Sequence, residues 1–422
     1  MPEMKSLTIN GATYEVVDEV ARRAASAGSE KIGDIKTTLR TDLGDKWLLC
    51  NGAAVSLSDA PGLYDMLPLK MTYYTGTTSA FKLKSCKIFR QGDKFIVFGT
   101  DTTSSGGSAN IAVCYTSNSI NGPWTRTVIA DSGGLEDACY YNGRWIVVGY
   151  YFSSYGQGSY ISRIWTSTDL KTWTELLKLN DYDNYYNVGV RHSNGKWVVI
   201  GRGKNSGNII RTANDTDINS WTTNSSSGIS SLSPYGLYCH PDGTFVAYGF
   251  SGSTSYNGYI AYTTDPTGSW TGKSIDTSSG NTGTSDQQYI FRIYYLDNKA
   301  IALCANGRFY GASTMSGTWS DCGGFDTNVA IEFVGYHRGK YIASTWNAIY
   351  KGDSLSGPWE ILVSSGNTTG KIYQIEGAYC DDECILGAGH LYGNYYNCFM
   401  NNYRTVPVLS YDESYAYIKA KE

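Results

Sequence analysis

The sequence predicts an all-β fold: a seven-bladed β-propeller preceded by a small α+β N-terminal attachment and connector region. Three observations carry this expectation. The 422 residues include Gly 48, Tyr 36 and Trp 11, with only 17% charged, a balance that favours sheet over helix bundles. A turn followed by a tryptophan recurs through most of the chain. Before each such phrase stands a second one, a tight turn followed by an apolar strand.

The tryptophan phrases are TSNSINGPWT (Trp124), TSTDLKTWT (Trp173), TANDTDINSWT (Trp221), TTDPTGSWT (Trp270), ASTMSGTWS (Trp319) and GDSLSGPWE (Trp359), spaced by 49, 48, 49, 49 and 40 residues. The strand phrases are QGDKFIVFGT (91–100), YNGRWIVVGY (141–150), SNGKWVVIGR (193–202), PDGTFVAYGF (241–250), LDNKAIALCA (296–305), HRGKYIASTW (337–346) and CDDECILGAG (380–389). The last has no tryptophan phrase after it. A β-patterned unit of this length cannot bury both faces alone, so the repeat implies a radial array or a solenoid.

Each unit reads as four strands, in the second unit about 136–141, 145–151, 159–167 and 173–179. A four-stranded antiparallel meander repeated about an axis is a propeller blade. Seven strand phrases therefore predict seven blades over residues 71–422, closed by strands from the tail TVPVLSYDESYAYIKAK (405–421) with KMTYYTG (70–76). Between the third and fourth strands, Ser167 and Asp169 are placed to cap their own turn. Trp124, Trp173, Trp221, Trp270, Trp319 and Trp359 read as a structural repeat packing between neighbouring blades. STDLKTW (167–173) resembles the Asp-box of sialidase-type (BNR) propellers, one residue short and with Lys171 near the glycine position. NGPW (121–124) and SGPW (356–359) resemble phrases of arabinanase-type propeller glycosidases. Both resemblances imply a propeller, and neither supplies a catalytic residue.

The formal charge of -4 is spread thinly and forms no basic stripe, so nucleic acid is not an expected partner. No apolar run approaches the roughly 18 residues of a membrane span, and MPEMKSLTIN has no signal-peptide core. The expectation is a soluble product made in a cytosol without export or membrane insertion. Cys114, Cys139, Cys239 and Cys304 lie in β-type runs and read as reduced core thiols. Cys380, Cys384, His390 and Cys398 lack a C-x2-C knuckle, so no metal is expected. With four His, no G-x-S-x-G and no H-E-x-x-H, there is no support for a hydrolase triad, a zincin or a cofactor.

In a meander the turns alternate between the two ends of the blade, so the second-to-third-strand loops and the crossovers share one end. These segments are long and rich in Tyr, Ser, Gly and Asn, the mixture that recognition loops use. Tyr151, Tyr155, Tyr160, Tyr182, Tyr185, Tyr186, Tyr256, Tyr392 and Tyr395 are candidates to stack on sugar rings, and Asp183 to hydrogen-bond hydroxyls. Glu136, Asp137, Asp286, Glu332 and Glu376 fall near the same end, as do Arg191, Arg202, Arg292 and Arg308. A glycosidase needs two carboxylates about 5–10 Å apart, but no local motif singles out a pair, and no catalytic residue is assigned.

The first seventy residues differ in character. SLTINGATYEVV (6–17) reads as a hairpin around Asn10-Gly11, and VDEVARRAASAG (17–28) as a short helix ended by Gly28. These make residues 1–30 an attachment segment and 31–70 a connector. GDIKTTLR, WLLCNG and the later Y-x-x-L-P resemble the collar-type connectors of bacteriophage tail-fibre proteins. LTINGATYEVVDEVARR and the final VPVLSYDESYAYIKAK are similar to the ends of the same class. The resemblance implies a virion appendage: a tail-fibre, receptor-binding subunit that displays the propeller to host cell-surface glycans. Other virion tail or head proteins would bind residues 1–70, and a homo-oligomer, such as a trimer, would multiply weak sugar contacts. A virion-bound glycosidase or depolymerase, a structural head or tail decoration protein and a host-encoded propeller scaffold are the alternatives.

Overall fold

The computed structural model describes residues 6–9, 12–15, 31, 35–38, 47–50, 54–55, 60–67, 69–74, 83–101, 110–119, 122–152, 160–178, 185–203, 208–224, 227–251, 257–277, 288–325, 330–364, 372–391, 397–405 and 415–419. The chain forms two compact units, residues 1–70 with 403–422, and residues 71–402.

In the first unit, β1 (Ser6–Ile9) pairs antiparallel with β2 (Ala12–Glu15) across Asn10-Gly11. Further on lie β3 (Ile35–Thr38), β4 (Trp47–Leu49), β5 (Ala54–Val55), the short helix α1 (Pro61–Met66) and β6 (Lys70–Tyr74), which continues into the second unit. The helix expected over 17–28 lies outside the described residues. Since α1 is the only α-helix among them, no α+β region is shown.

The second unit contains six four-stranded antiparallel meanders. The first is β7–β10 (Leu83–Gln91, Lys94–Asp101, Ile111–Ser117, Thr125–Ala130). The second is β11–β14 (Gly134–Tyr141, Arg144–Phe152, Tyr160–Ser167, Thr174–Lys178). The third is β15–β18 (Tyr185–Ser193, Lys196–Gly203, Asn208–Asn214, Asp217–Asn224). The fourth is β19–β22 (Leu232–Cys239, Phe245–Ser251, Asn257–Thr263, Thr271–Ile275). The fifth is β23–β26 (Ile290–Leu296, Lys299–Cys304, Arg308–Ala312, Ser320–Gly324). The sixth is β27–β30 (Ile331–His337, Lys340–Thr345, Ala348–Gly352, Trp359–Ser364).

The expectation of seven blades is corrected here. The chain is a six-bladed β-propeller, counting complete four-stranded meanders. The seventh strand phrase forms β31 (Ile372–Cys380) and β32 (Ile385–Leu391), which pair in the order β31-β32-β33 with β33 (Asn397–Thr405). Among the described residues no consecutive fourth strand of this sheet follows. The far end of β33 pairs with β5 through Arg404 and Thr405, and β6 also pairs β33. In the sequence, no tryptophan phrase succeeds the seventh strand phrase. The tail strand β34 (Tyr415–Lys419) pairs with β3 and β4 in the first unit, rather than closing the propeller.

The apolar runs become strands buried on both faces. In β8, Phe95 and Val97 pack into a core with Leu386 and Ala388 of β32, while Ile96 and Phe98 pack into another with Trp145 and Val147 of the second blade. Alternation across the strand thus feeds one core on each side, so a continuous apolar run is required. Five such cores join successive blades, and a sixth joins the closing sheet to the first. Trp173 packs in the core shared with the first blade, 5.9 Å from Phe98 between ring centroids. Trp221, Trp270, Trp319 and Trp359 sit likewise against the preceding blade, and Trp124 against the closing sheet. The hairpins between first and second strands use paired positive φ at Asn142 and Gly143, and again at Asn194 and Gly195, as mirror-image turns require.

The turn before Trp173 is locked by two side chains. Ser167 Oγ accepts the N–H of Leu170 at 2.9 Å. Asp169 Oδ1 accepts the N–H of Lys171 at 2.8 Å and of Thr172 at 2.7 Å. Those N–H groups, with that of Thr172 foremost, hold the Asp169 carboxyl at about 2, below its ordinary 3.8. A carboxyl depressed in the folded state stabilises fully above its unfolded value, and the effect fades as pH falls through the folded value. Asp169→Asn is therefore expected to lower the thermal midpoint at pH 7, with the gap to the parent narrowing towards pH 2. Melting curves at the two pH values check this.

One irregularity recurs in the first strand of each of the six blades and of the closing sheet. The register shifts between Lys84 and Lys87, Leu135 and Asp137, Asn187 and Gly189, Pro234 and Gly236, Ile290 and Arg292, Ile331 and Phe333, and Ile375 and Gly377. Such bulges increase twist and re-aim side chains. Opposite them on the second strand stand Gly149, Gly201 and Gly249. A Cβ on Gly149 would lie 2.0 Å from the carbonyl oxygen of Gly134, and one on Gly249 2.0 Å from that of Ser233. The repeated glycine of VVGY and AYGF is thus the space the bulge needs.

Candidate functional site

The bulged first strands surround a cavity of about 410 Å³ on the propeller axis. Its lining comes from β7 (Lys87, Phe89), β11 (Asp137), β15 (Arg191), β23 (Arg292, Tyr294), β27 (Glu332, Tyr336) and β31 (Tyr379), with Tyr248 from β20. Glu136, Glu332 and Glu376 are the extra residues of their bulges, and Lys87 and Arg292 directly follow theirs. Five sheets thus bring charged side chains to the cavity wall: Lys87, Asp137, Arg191, Arg292 and Glu332. The volume falls in the range of small-ligand sites.

Two of these groups neutralise each other. Arg191 Nη1 donates to Asp137 Oδ2 at 2.5 Å, and the same oxygen accepts the Val190 N–H at 3.1 Å. The remaining charges are held close without that closure. Burial pushes the Lys87 ammonium well below its ordinary value, and nearby Arg292 adds to the effect, while Asp137 and Glu136 oppose it. Burial pushes the Glu136 carboxyl up, against the pull of Lys87. Glu332 shifts up for the same reason, opposed by Arg292 and Lys87. No ion pair joins any two of Lys87, Glu136, Arg292 and Glu332 among the described residues, and Arg292 Nε has no hydrogen-bond partner there. Burial raises the Tyr248 hydroxyl to about 12 and the Tyr294 hydroxyl upward too, so both are proton donors at neutral pH.

The charged residues singled out from sequence divide. Glu136, Asp137, Arg191, Arg292 and Glu332 converge, and Glu376 is buried on the adjoining β31. Arg308 is elsewhere, paired with Asp321 at 2.5 Å, and Arg202 stands over the Phe250 ring at 6.0 Å. Asp286 lies outside the described residues, as do Tyr155, Tyr182, Asp183, Tyr256, Tyr392 and Tyr395. Tyr151, Tyr160, Tyr185 and Tyr186 fall on β12, β13 and β15, with side chains outside those described. Lys87, Tyr248 and Tyr294 were not anticipated. Lys87, set between Cys86 and Ile88, was the available signal, because a charge flanked by apolar residues must have a reason. Among the described residues no group of three or more His, Cys, Asp or Glu could hold a metal ion. None of their helices is long and apolar enough to cross a membrane.

Fold and axial site together define a β-propeller with a ligand-sized cavity that carries charged and tyrosine side chains on a largely apolar wall. No family model matches the chain, and no curated protein matches it. Solved structures do. YCF48 from Cyanidioschyzon merolae is similar over 79% of this chain and 98% of its own, at 12% identity and a TM-score of 0.50. The Trypanosoma rangeli sialidase aligns over 80% of this chain and 58% of its own, at 11% identity and a TM-score of 0.44. An α-L-arabinofuranosidase of Fusarium graminearum aligns over 79% and 97%, at 11% identity and a TM-score of 0.44. At 12% identity the likeness to YCF48 bears on the fold alone.

Proposed function

We propose that this chain is the carbohydrate-recognition subunit of a phage virion appendage, a tail-fibre protein whose propeller binds host cell-surface glycans. The observation that carries the recognition is the axial cavity. Tyrosine rings offer flat apolar area to the C–H face of a sugar, and their hydroxyls, Arg292 and Glu332 offer directional hydrogen bonds to its hydroxyls. The attachment role rests on the resemblance of GDIKTTLR and WLLCNG to tail-fibre connectors, with residues 1–70 meeting other virion proteins. Oligomerisation, as a trimer, would convert weak single-site affinity into avidity.

The test is binding of the labelled full chain to a glycan array and to intact bacterial cells. Arg292→Gln is expected to weaken binding by about tenfold or more, as loss of a charged hydrogen bond from a closed site does. Retained binding by that variant, or no binding by the parent to any glycan or cell, overturns the reading.

A further inference from the structure

The charges left over in the axial cavity are of both signs. Once Arg191 and Asp137 have neutralised each other, Lys87 and Arg292 remain as basic groups and Glu332 as an acidic group on the cavity wall, with Glu136 behind it in the bulge beside Asp137. They come from four different sheets, Lys87 beside Glu136 on the first and second blades and Arg292 beside Glu332 on the fifth and sixth. They feel one another electrostatically, yet no ion pair joins them. Holding unlike charges near but apart in a low-dielectric site leaves each incompletely satisfied. A neutral sugar would satisfy neither sign, and a purely anionic one would crowd the Glu332 carboxyl group. A ligand with one charge of each sign satisfies both.

We infer that the axial cavity takes a zwitterionic sugar unit, one carrying a free ammonium group and an anionic group. Glu332 receives the ammonium, and Lys87 and Arg292 the anion. Tyr248 and Tyr294 flank the ring, and the Tyr294 hydroxyl is directed to the Glu332 carbonyl oxygen at 3.4 Å, which steadies the strand presenting that carboxylate. The inference rests on the carbohydrate-recognition reading and narrows it to a ligand class.

Three probes separate the charges: muramic acid (ammonium and carboxylate), N-acetylmuramic acid (carboxylate alone) and glucosamine (ammonium alone). Calorimetric titration of the full chain is expected to show muramic acid binding at least about tenfold more tightly than either. Glu332→Gln should remove the preference for muramic over N-acetylmuramic acid, and Arg292→Gln the preference over glucosamine, with melting curves confirming that each variant is folded. Equal affinities for the three probes, or no muramic acid binding at about 10 mM, overturn the inference. Binding to cells or to other glycans in that case leaves the recognition reading standing, whereas failure with every cell, glycan and probe removes both.

Discussion

Gly149→Ala is expected to destabilise the propeller by about 3 kcal/mol, at the upper end of overpacking penalties, and to weaken ligand binding with it. The added methyl would sit 2.0 Å from the Gly134 carbonyl oxygen, 3.0 Å from its carbon and 3.1 Å from Leu135 Cα. All three are main-chain atoms, so no side chain can swing away. Only the bulge can yield, and it carries Glu136 and precedes Asp137. Stability and site geometry should therefore fail together. The control is Gly143→Ala in the adjoining hairpin turn, where nothing lies within 4 Å and φ is +79°. There the penalty is conformational, about 1 kcal/mol, and ligand affinity is unchanged. Denaturant unfolding and sugar titration on both variants decide the matter. Equal effects at the two glycines would refute the role given to the bulge.

Asp381→Ala is the second large effect, about 3 kcal/mol and a fall of roughly 3–5 °C in thermal midpoint. Its carboxylate accepts from Arg90 Nη1 on β7 and from the Tyr379 hydroxyl on β31, each at 2.9 Å. It also accepts the N–H groups of Glu383 at 2.9 Å and Cys384 at 2.8 Å. Its own carbonyl oxygen lies 2.6 Å from His337 Nδ1 on β27. One residue thus joins the sixth blade, the closing sheet and the first blade. Burial works to raise the Asp381 carboxyl, but the Cys384 N–H, Arg90 and the other donors outweigh it and hold it below 3.8. With the folded value depressed, its stabilisation is present above the unfolded value and lost as pH falls through the folded one. The variant should accordingly lose part of the acid sensitivity as well as the midpoint. Asp382→Ala, at the exposed neighbour, should change neither. An unchanged midpoint in Asp381→Ala would show that the ring closes by packing alone.

Much of the architecture could be read from residue order because it is local. The meanders, the Asn-Gly turns and the Ser167 and Asp169 caps depend on neighbours a few positions apart, and the second blade's strands begin and end within about two residues of their expected positions. The blade count was not local. It depends on whether β33 finds a fourth consecutive partner, and its partners β5 and β6 lie more than three hundred residues away in the chain. The site was half legible. Glu136, Asp137, Arg191, Arg292 and Glu332 stood out as charges near one end, but so did Arg308, which Asp321 claims.

By itself the sequence determined that a β unit repeats, that each unit needs its neighbours, and which residues make the turns, because these follow from periodicity and short-range hydrogen bonding. Only the tertiary structure decided how many complete sheets ring the axis and which charges share the cavity. Bulges aim those side chains inward from separate sheets, and the convergence of residues from Lys87 to Glu332 depends on ring closure, which no stretch of residues encodes alone.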